Sequence, residues 1–145
     1  MREITVQELQ MNPVTAIAQD WMLITAGCGE GNYNTMTASW GQIGHVWGHG
    51  RRIGTTVCYV RPQRYTKQFM DREELYTLTF FDGHREALSY LGTHSGRDED
   101  KVAKTDLTPV FGIAIPGGKY EQPVADISHY FLVHDRFLSK TKRVE

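Results

Sequence analysis

Three short segments carry side chains whose types and order could act on a bound ligand. In the first, Thr35, Thr37 and Ser39 alternate with Met36, Ala38 and Trp40, and a strand sends alternate side chains to opposite faces. One face is then lined with hydroxyls beside Asn34, and Trp40 adds a flat apolar wall, a set that suits a planar polar ring. An antiparallel strand with one face in water has the same pattern. The second segment, Arg61-Pro62-Gln63-Arg64-Tyr65-Thr66, ends a strand and opens a helix, where unpaired amides and the helix dipole favour an anion. A guanidinium can grip two phosphate oxygens, so Arg61, Arg64 and Thr66 form a phosphate cradle or, equally well, an ordinary basic surface. In the third, His94-Ser95-Gly96-Arg97-Asp98-Glu99-Asp100-Lys101, Ser95 or Asp98 can cap a helix and Gly96 lets main chain approach a ligand closely. Lys101 could face a developing negative charge, although a solvated helix start looks similar.

Other groupings carry less. His45 and His49 are four apart in a glycine-bearing stretch with no nearby cysteine or carboxylate, so no metal site is expected. Cys28 and Cys58 lack CxxC spacing and are expected to be reduced. There is no GxSxG, P-loop or GxGxxG, which leaves hydrolase, Walker-type and Rossmann chemistry without a foothold.

The elements that must position these segments are mostly strands. Trp21 to Ala26 reads as a buried strand ended by Gly27, with a reversal over Gly29 to Asn32 and a second strand over Asn34 to Trp40. Gly41, Gly44, Gly48, Gly50 and Gly54 suggest a flexible connection to a strand over Thr55 to Val60, stopped by Pro62. Helices are expected over Tyr65 to Arg72, His84 to Leu91 and Arg97 to Lys104, and further strands over Leu75 to Phe81, Pro109 to Ile115 and Ile127 to Val133. Consecutive strands with short helices between them predict a mainly β fold, an antiparallel barrel whose closure removes exposed edges.

Composition bounds the rest. The 145 residues make one domain, residues 1–145, and 40% hydrophobic against 23% charged residues supply a core. A formal charge of -1 gives no field to attract nucleic acid, so an RNA-contacting module built on Arg51, Arg52, Arg61 and Arg64 is disfavoured. No apolar run approaches the length of a membrane span, and Met1-Arg2-Glu3-Ile4 lacks the layout of a secretion signal. The expected compartment is the cytoplasm.

Taken in order, Asn34 to Gly41, then Val60 to Thr66, then Leu91 to Val102 resemble the flavin reductase-like, FMN-binding split-barrel family, with flavoredoxin-type proteins as relatives by the same motifs. The resemblance covers roughly the first three quarters of the chain, and from about residue 110 the sequence departs from the family pattern and is short. It implies a six-stranded antiparallel split barrel with inserted helices, a homodimer, and FMN near the subunit interface. By the same resemblance Asn34, Thr37, Ala38, Ser39 and Trp40 border the isoalloxazine and ribityl chain. Arg61, Arg64, Tyr65 and Thr66 hold the phosphate, and Ser95, Gly96 and Lys101 close the site with Lys101 beside the pyrimidine edge. The implied activity is hydride transfer from NAD(P)H to flavin, or alternatively electron carriage between FMN and a redox protein without NAD(P)H turnover. In neither case is a catalytic acid, base or nucleophile needed from the chain, because the flavin carries the chemistry.

Overall fold

The computed structural model describes residues 8–48, 51–73, 76–110, 124–125 and 130–131. Near its start, the Asn12 side chain accepts from the amides of Val14 and Thr15 at 3.1 and 3.3 Å. This N-cap starts a single helical turn, α1, over Pro13–Thr15, which widens into a π-turn over Ala16–Asp20. Trp21 ends that turn at φ 68°, a conformation strained for an aromatic residue. The Arg85 guanidinium lies 3.2 Å from the centre of the Trp21 ring and donates to the Gln19 carbonyl at 2.5 Å, which pins the corner.

The strands β1 (Met22–Gly27) and β2 (Tyr33–Ala38) form a hairpin, and β5 (Thr77–Thr79) pairs with the other side of β1. With β8 (Tyr130–Phe131) they make a four-stranded antiparallel sheet in the order β2-β1-β5-β8, so among the described residues β2 is an edge. The register sorts its residues into two faces. Met22, Ile24, Met36, Ala38 and Leu78 join Phe80, Ala16 and Ile17 in one core. The opposite face presents Leu23 among Thr25, Thr35, Thr37, Thr77 and Thr79. There the helix α3 (Arg85–Thr93) packs, and Leu23, Ala87, Leu88, Leu91, Val102 and Leu107 form a second core. Met22, Leu23 and Ile24 are fully buried, and burying each such side chain contributes about 1.5–3 kcal/mol. The helix α2 (Tyr65–Arg72) buries Thr66 and Phe69, and its Met70 packs against the first core.

Several sequence expectations change here. The glycine-bearing stretch expected to be a flexible connection is instead strand β3 (Gly41–Gly48), paired with β4 (Arg51–Cys58). A ladder needs only main-chain donors and acceptors, and Ile43 and Cys58 anchor the hairpin on the first core. The strand expected over Thr55 to Val60 is therefore the second half of a longer one. No helix forms over Arg97 to Lys104: the Ser95 hydroxyl accepts from the Arg97 amide at 3.2 Å and Asp100 Oδ1 accepts from the Ala103 amide at 3.2 Å. Side chains that capture nearby amides compete with the helical ladder, and turns result.

The expected barrel is also revised. Among the described residues there are three separate antiparallel sheets, the four-stranded one, β3-β4, and β6 (Pro109–Val110) with β7 (Val124–Ala125), and none closes on itself. The mainly β character with a few helices stands. The expectations for Leu75, for residues 111–115 and for most of 127–133 lie outside the described residues. Among the described residues no helix is long and apolar enough to cross a membrane, and no cluster of three or more metal-ligating side chains occurs.

Candidate functional site

The three segments singled out in the sequence meet at one end of the edge strand β2. Asn34 is buried at 6% exposure on the first-core face, and its Nδ2 donates to Thr66 Oγ1 at 2.7 Å and to the Thr35 carbonyl at 3.3 Å. Gly96 lies directly over it. A Cβ built on Gly96 would stand 2.1 Å from Asn34 Oδ1 and 3.4 Å from the Tyr65 ring, so only glycine admits this approach. Residues 92–97 thus wrap around the edge of β2, from the α3 face, where Gly92 abuts Thr37, to the α2 face.

The helix α2 starts at this junction, and its N-cap residue Arg64 supplies no side-chain cap. The Lys67 amide donates to the Arg64 carbonyl at 3.0 Å and Thr66 is fully buried, so of its first amides that of Tyr65 remains for a ligand. Arg64 Nη2 donates to the Gly92 carbonyl at 2.6 Å, and Arg97 stacks 5.0 Å from the Tyr65 ring centre while donating to the Gln63 carbonyl at 3.2 Å. Burial, and after it the neighbouring Arg61 charge, lower the Arg64 pKa. Arg61 itself is exposed.

Lys101 is the most enclosed cation of the group, only 4% exposed. Its ammonium donates to the carbonyls of Leu91 at 2.8 Å and His94 at 3.1 Å, both at the C-terminal end of α3, where a cation is favoured by the helix dipole. Burial first, and then Arg64, pull it down to about 8, with Glu99 acting in the opposite direction.

Asn34, Arg64, Tyr65, Thr66, Gly96 and Lys101 are therefore brought together, with half-buried Ser95 serving the turn beside them. The other residues implicated by the sequence lie apart. The Thr37 hydroxyl donates to the Leu88 carbonyl at 2.5 Å, and Thr25 donates to Thr35 at 2.8 Å, so the hydroxyl-lined face expected to meet a ring is covered by α3. At about 3.3 Å per residue, Ala38 is about 13 Å along the strand from Asn34, and Ser39 and Trp40 continue beyond the end of β2. Trp40 is 65% exposed there.

Leu91, Gly92 and His94 are the participants that sequence reasoning did not assign, because they act through carbonyl groups. The one available signal was that Gly92 follows the last apolar residue of the helical repeat. A separate cavity of about 200 Å³, lined by Gln19, Asp20, Phe81, Asp82, Gly83, Arg85 and Leu88, sits at the other end of α3.

The architecture, a mainly β chain of antiparallel sheets with helices packed on both faces of the largest, has a counterpart among solved structures. It is the flavoredoxin of Desulfovibrio vulgaris (Miyazaki F), with a TM-score of 0.53, 20% sequence identity, and coverage of 86% of this chain and 61% of that one. At this identity the likeness is one of fold, and the chain spans less than two thirds of the flavoredoxin's length. No family model and no curated protein matches the sequence.

Proposed function

We propose that this protein binds FMN and works as a flavoredoxin-like electron carrier. One observation supports this above the rest: the uncapped start of α2 stands beside Arg61 and Arg64, neither of which takes part in an ion pair among the described residues, on a fold like that of a flavoredoxin. A free amide, a helix dipole and unneutralised guanidinium groups suit a phosphate monoester.

In this reading Arg61, Arg64 and the Tyr65 amide at the start of α2 hold the phosphate. Thr66 and Asn34 brace that cradle from beneath, and Ser39 and Trp40, beyond the end of β2, offer a wall for the ring system; Ala38, which the resemblance also placed there, is buried in the first core. Bound flavin supplies the electron-accepting chemistry, while the chain binds and orients it. A homodimer belongs to the same reading. Electron carriage takes precedence over NAD(P)H-driven reduction because the matched structure is a flavoredoxin.

Titration with FMN, followed by desalting and absorbance, should give a saturable yellow complex. Replacing Arg64 by Ala should weaken FMN binding roughly 10- to 100-fold, the loss of a charge-assisted hydrogen bond, and leave riboflavin affinity nearly unchanged. With excess FMN, NADH and NADPH should be oxidised at negligible rates while a reduced redox protein reduces the complex. Absence of saturable FMN binding would sink the proposal, and rapid NAD(P)H turnover would move it to the reductase class.

A further inference from the structure

From Gly31 to Met70 the sequence has no Asp or Glu, yet it carries five cationic side chains, Arg51, Arg52, Arg61, Arg64 and Lys67. The remaining residues carry seventeen acidic against eleven cationic side chains, so a near-neutral total is made of two regions of opposite sign. The basic region comprises β2, the β3-β4 ladder and most of α2. Of its cations Lys67 is met by Asp71, whereas Arg61 and Arg64 take part in no ion pair among the described residues.

An apolar surface coincides with that charge. One face of the β3-β4 ladder turns Ile43 and Cys58 to the first core, where Val60 joins them. On the other face Gln42 stands opposite Val57 and donates to the Tyr59 hydroxyl at 3.1 Å. Val57 and Tyr59 are 42% and 52% exposed, and Trp40 lies exposed at the same end of the ladder. Large apolar side chains grouped in water mark an interaction surface. Arg61, two residues after Tyr59, is exposed at its rim. The acids Asp98, Glu99 and Asp100 belong to the segment whose Val102 packs into the second core, on the opposite side of the four-stranded sheet.

We propose that this face of the ladder, Trp40, Val57 and Tyr59 with Arg61 at the rim, docks the acidic surface of a one-electron iron–sulfur protein of the ferredoxin class. The proposal rests on the electron-carrier reading above and adds to it the docking face and the charge of the partner. An apolar centre inside a charged rim is the common layout of protein interfaces. Electron-transfer encounters are the smallest of them, below about 1,200 Å² in total, and opposite charge mainly speeds their formation. Trp40 is also the wall offered to the ring system, so a partner on this face lies beside the ring. Two reduced partner molecules are oxidised for each flavin reduced, with the protons drawn from water. A nucleic acid fits less well, because an extended polyanion would run from this patch onto a surface of net negative charge.

The test uses a reduced, acidic ferredoxin as the probe. Its dissociation constant, and the rate at which it reduces the FMN-loaded protein, are measured at low and high ionic strength for wild type, Val57→Glu, Val57→Lys and Tyr59→Ser. Ser89→Glu, on the exposed side of α3, is the control for net charge. The FMN affinity and oligomeric state of each variant are measured alongside. Val57→Glu should weaken docking and slow reduction several-fold, Val57→Lys should do the opposite, and added salt should narrow the difference. Tyr59→Ser should weaken docking at both ionic strengths, Ser89→Glu should match wild type, and FMN affinity should be the same in all. A merely structural effect would move the two Val57 variants in one direction.

Docking that follows the sign at Val57 in a protein without saturable FMN binding would uphold the docking face and reject the carrier reading. Normal FMN binding with ferredoxin docking indifferent to the charge at Val57, or equally weakened by Ser89→Glu, would overturn the docking face and leave that reading in place. Tighter binding of a single-stranded oligonucleotide than of the ferredoxin, or loss of an oligomer in both Val57 variants, would give the face to another occupant and overturn it as well.

Discussion

Gly96 is legible in the sequence as a place where main chain can come close to something, but the something is Asn34. Substituting alanine puts a methyl group into the space of Asn34 Oδ1, and overpacking of this kind costs about 1–3 kcal/mol. Because Asn34 is the obstruction, Gly96→Ala should cost much less in an Asn34→Ala background. A double-mutant cycle by urea denaturation reads that coupling, and additive losses would show that Gly96 serves another purpose. The same logic explains the partial legibility of the site. Residue types marked Asn34, Arg64, Thr66 and Lys101 as polar groups with work to do. They did not reveal that Thr66 would be fully buried under Asn34, or that Lys101 would donate to α3.

At the level of elements, periodicity located α2 over Tyr65–Arg72 and placed α3 within two residues at each end. The β1-β2 hairpin was equally readable, because Gly27 to Asn32 concentrates turn residues between two apolar-bearing runs. Gly27 sits at φ +145°, and a Cβ there would stand 2.3 Å from the Asn32 carbonyl oxygen. Gly27→Ala should therefore destabilise the protein by about 2 kcal/mol or more. Its effect should appear as faster amide exchange across the β1-β2 pairing, and an unchanged exchange pattern would contradict this account of the turn. The β3-β4 pairing was missed because its glycines suggest flexibility, while its stability comes from a ladder between the two strands. Conversely, the sequence around Arg97 to Lys104 has charges suited to a helix, but the side chains of Ser95 and Asp100 take the amides first.

Across the whole molecule, the four-stranded sheet is covered on both faces, by the π-turn and α2 on one and by α3 on the other. This leaves a row of threonines enclosed between sheet and helix, within which the hydroxyls of Thr77 and Thr79 have no hydrogen-bond partner among the described residues. An unpartnered buried hydroxyl is unfavourable by about 1–3 kcal/mol. Thr79→Val should thus raise stability by about 1 kcal/mol, whereas Thr35→Val, which deprives Thr25 of its acceptor, should lower it by a similar amount. Chemical denaturation of the two variants checks the pair, and equal losses in both would reject this reading of the buried face.

Composition and periodicity by themselves determined a mainly β chain, its principal helices, and three polar segments in a fixed order, because those properties depend on neighbours a few residues apart. Only the tertiary structure decided which face of β2 is covered, where the sheets end, and that Arg64 and Lys101 turn towards the carbonyls of α3. Those outcomes depend on contacts between residues as far apart as Asn34 and Gly96, and no local pattern encodes the packing that brings them together.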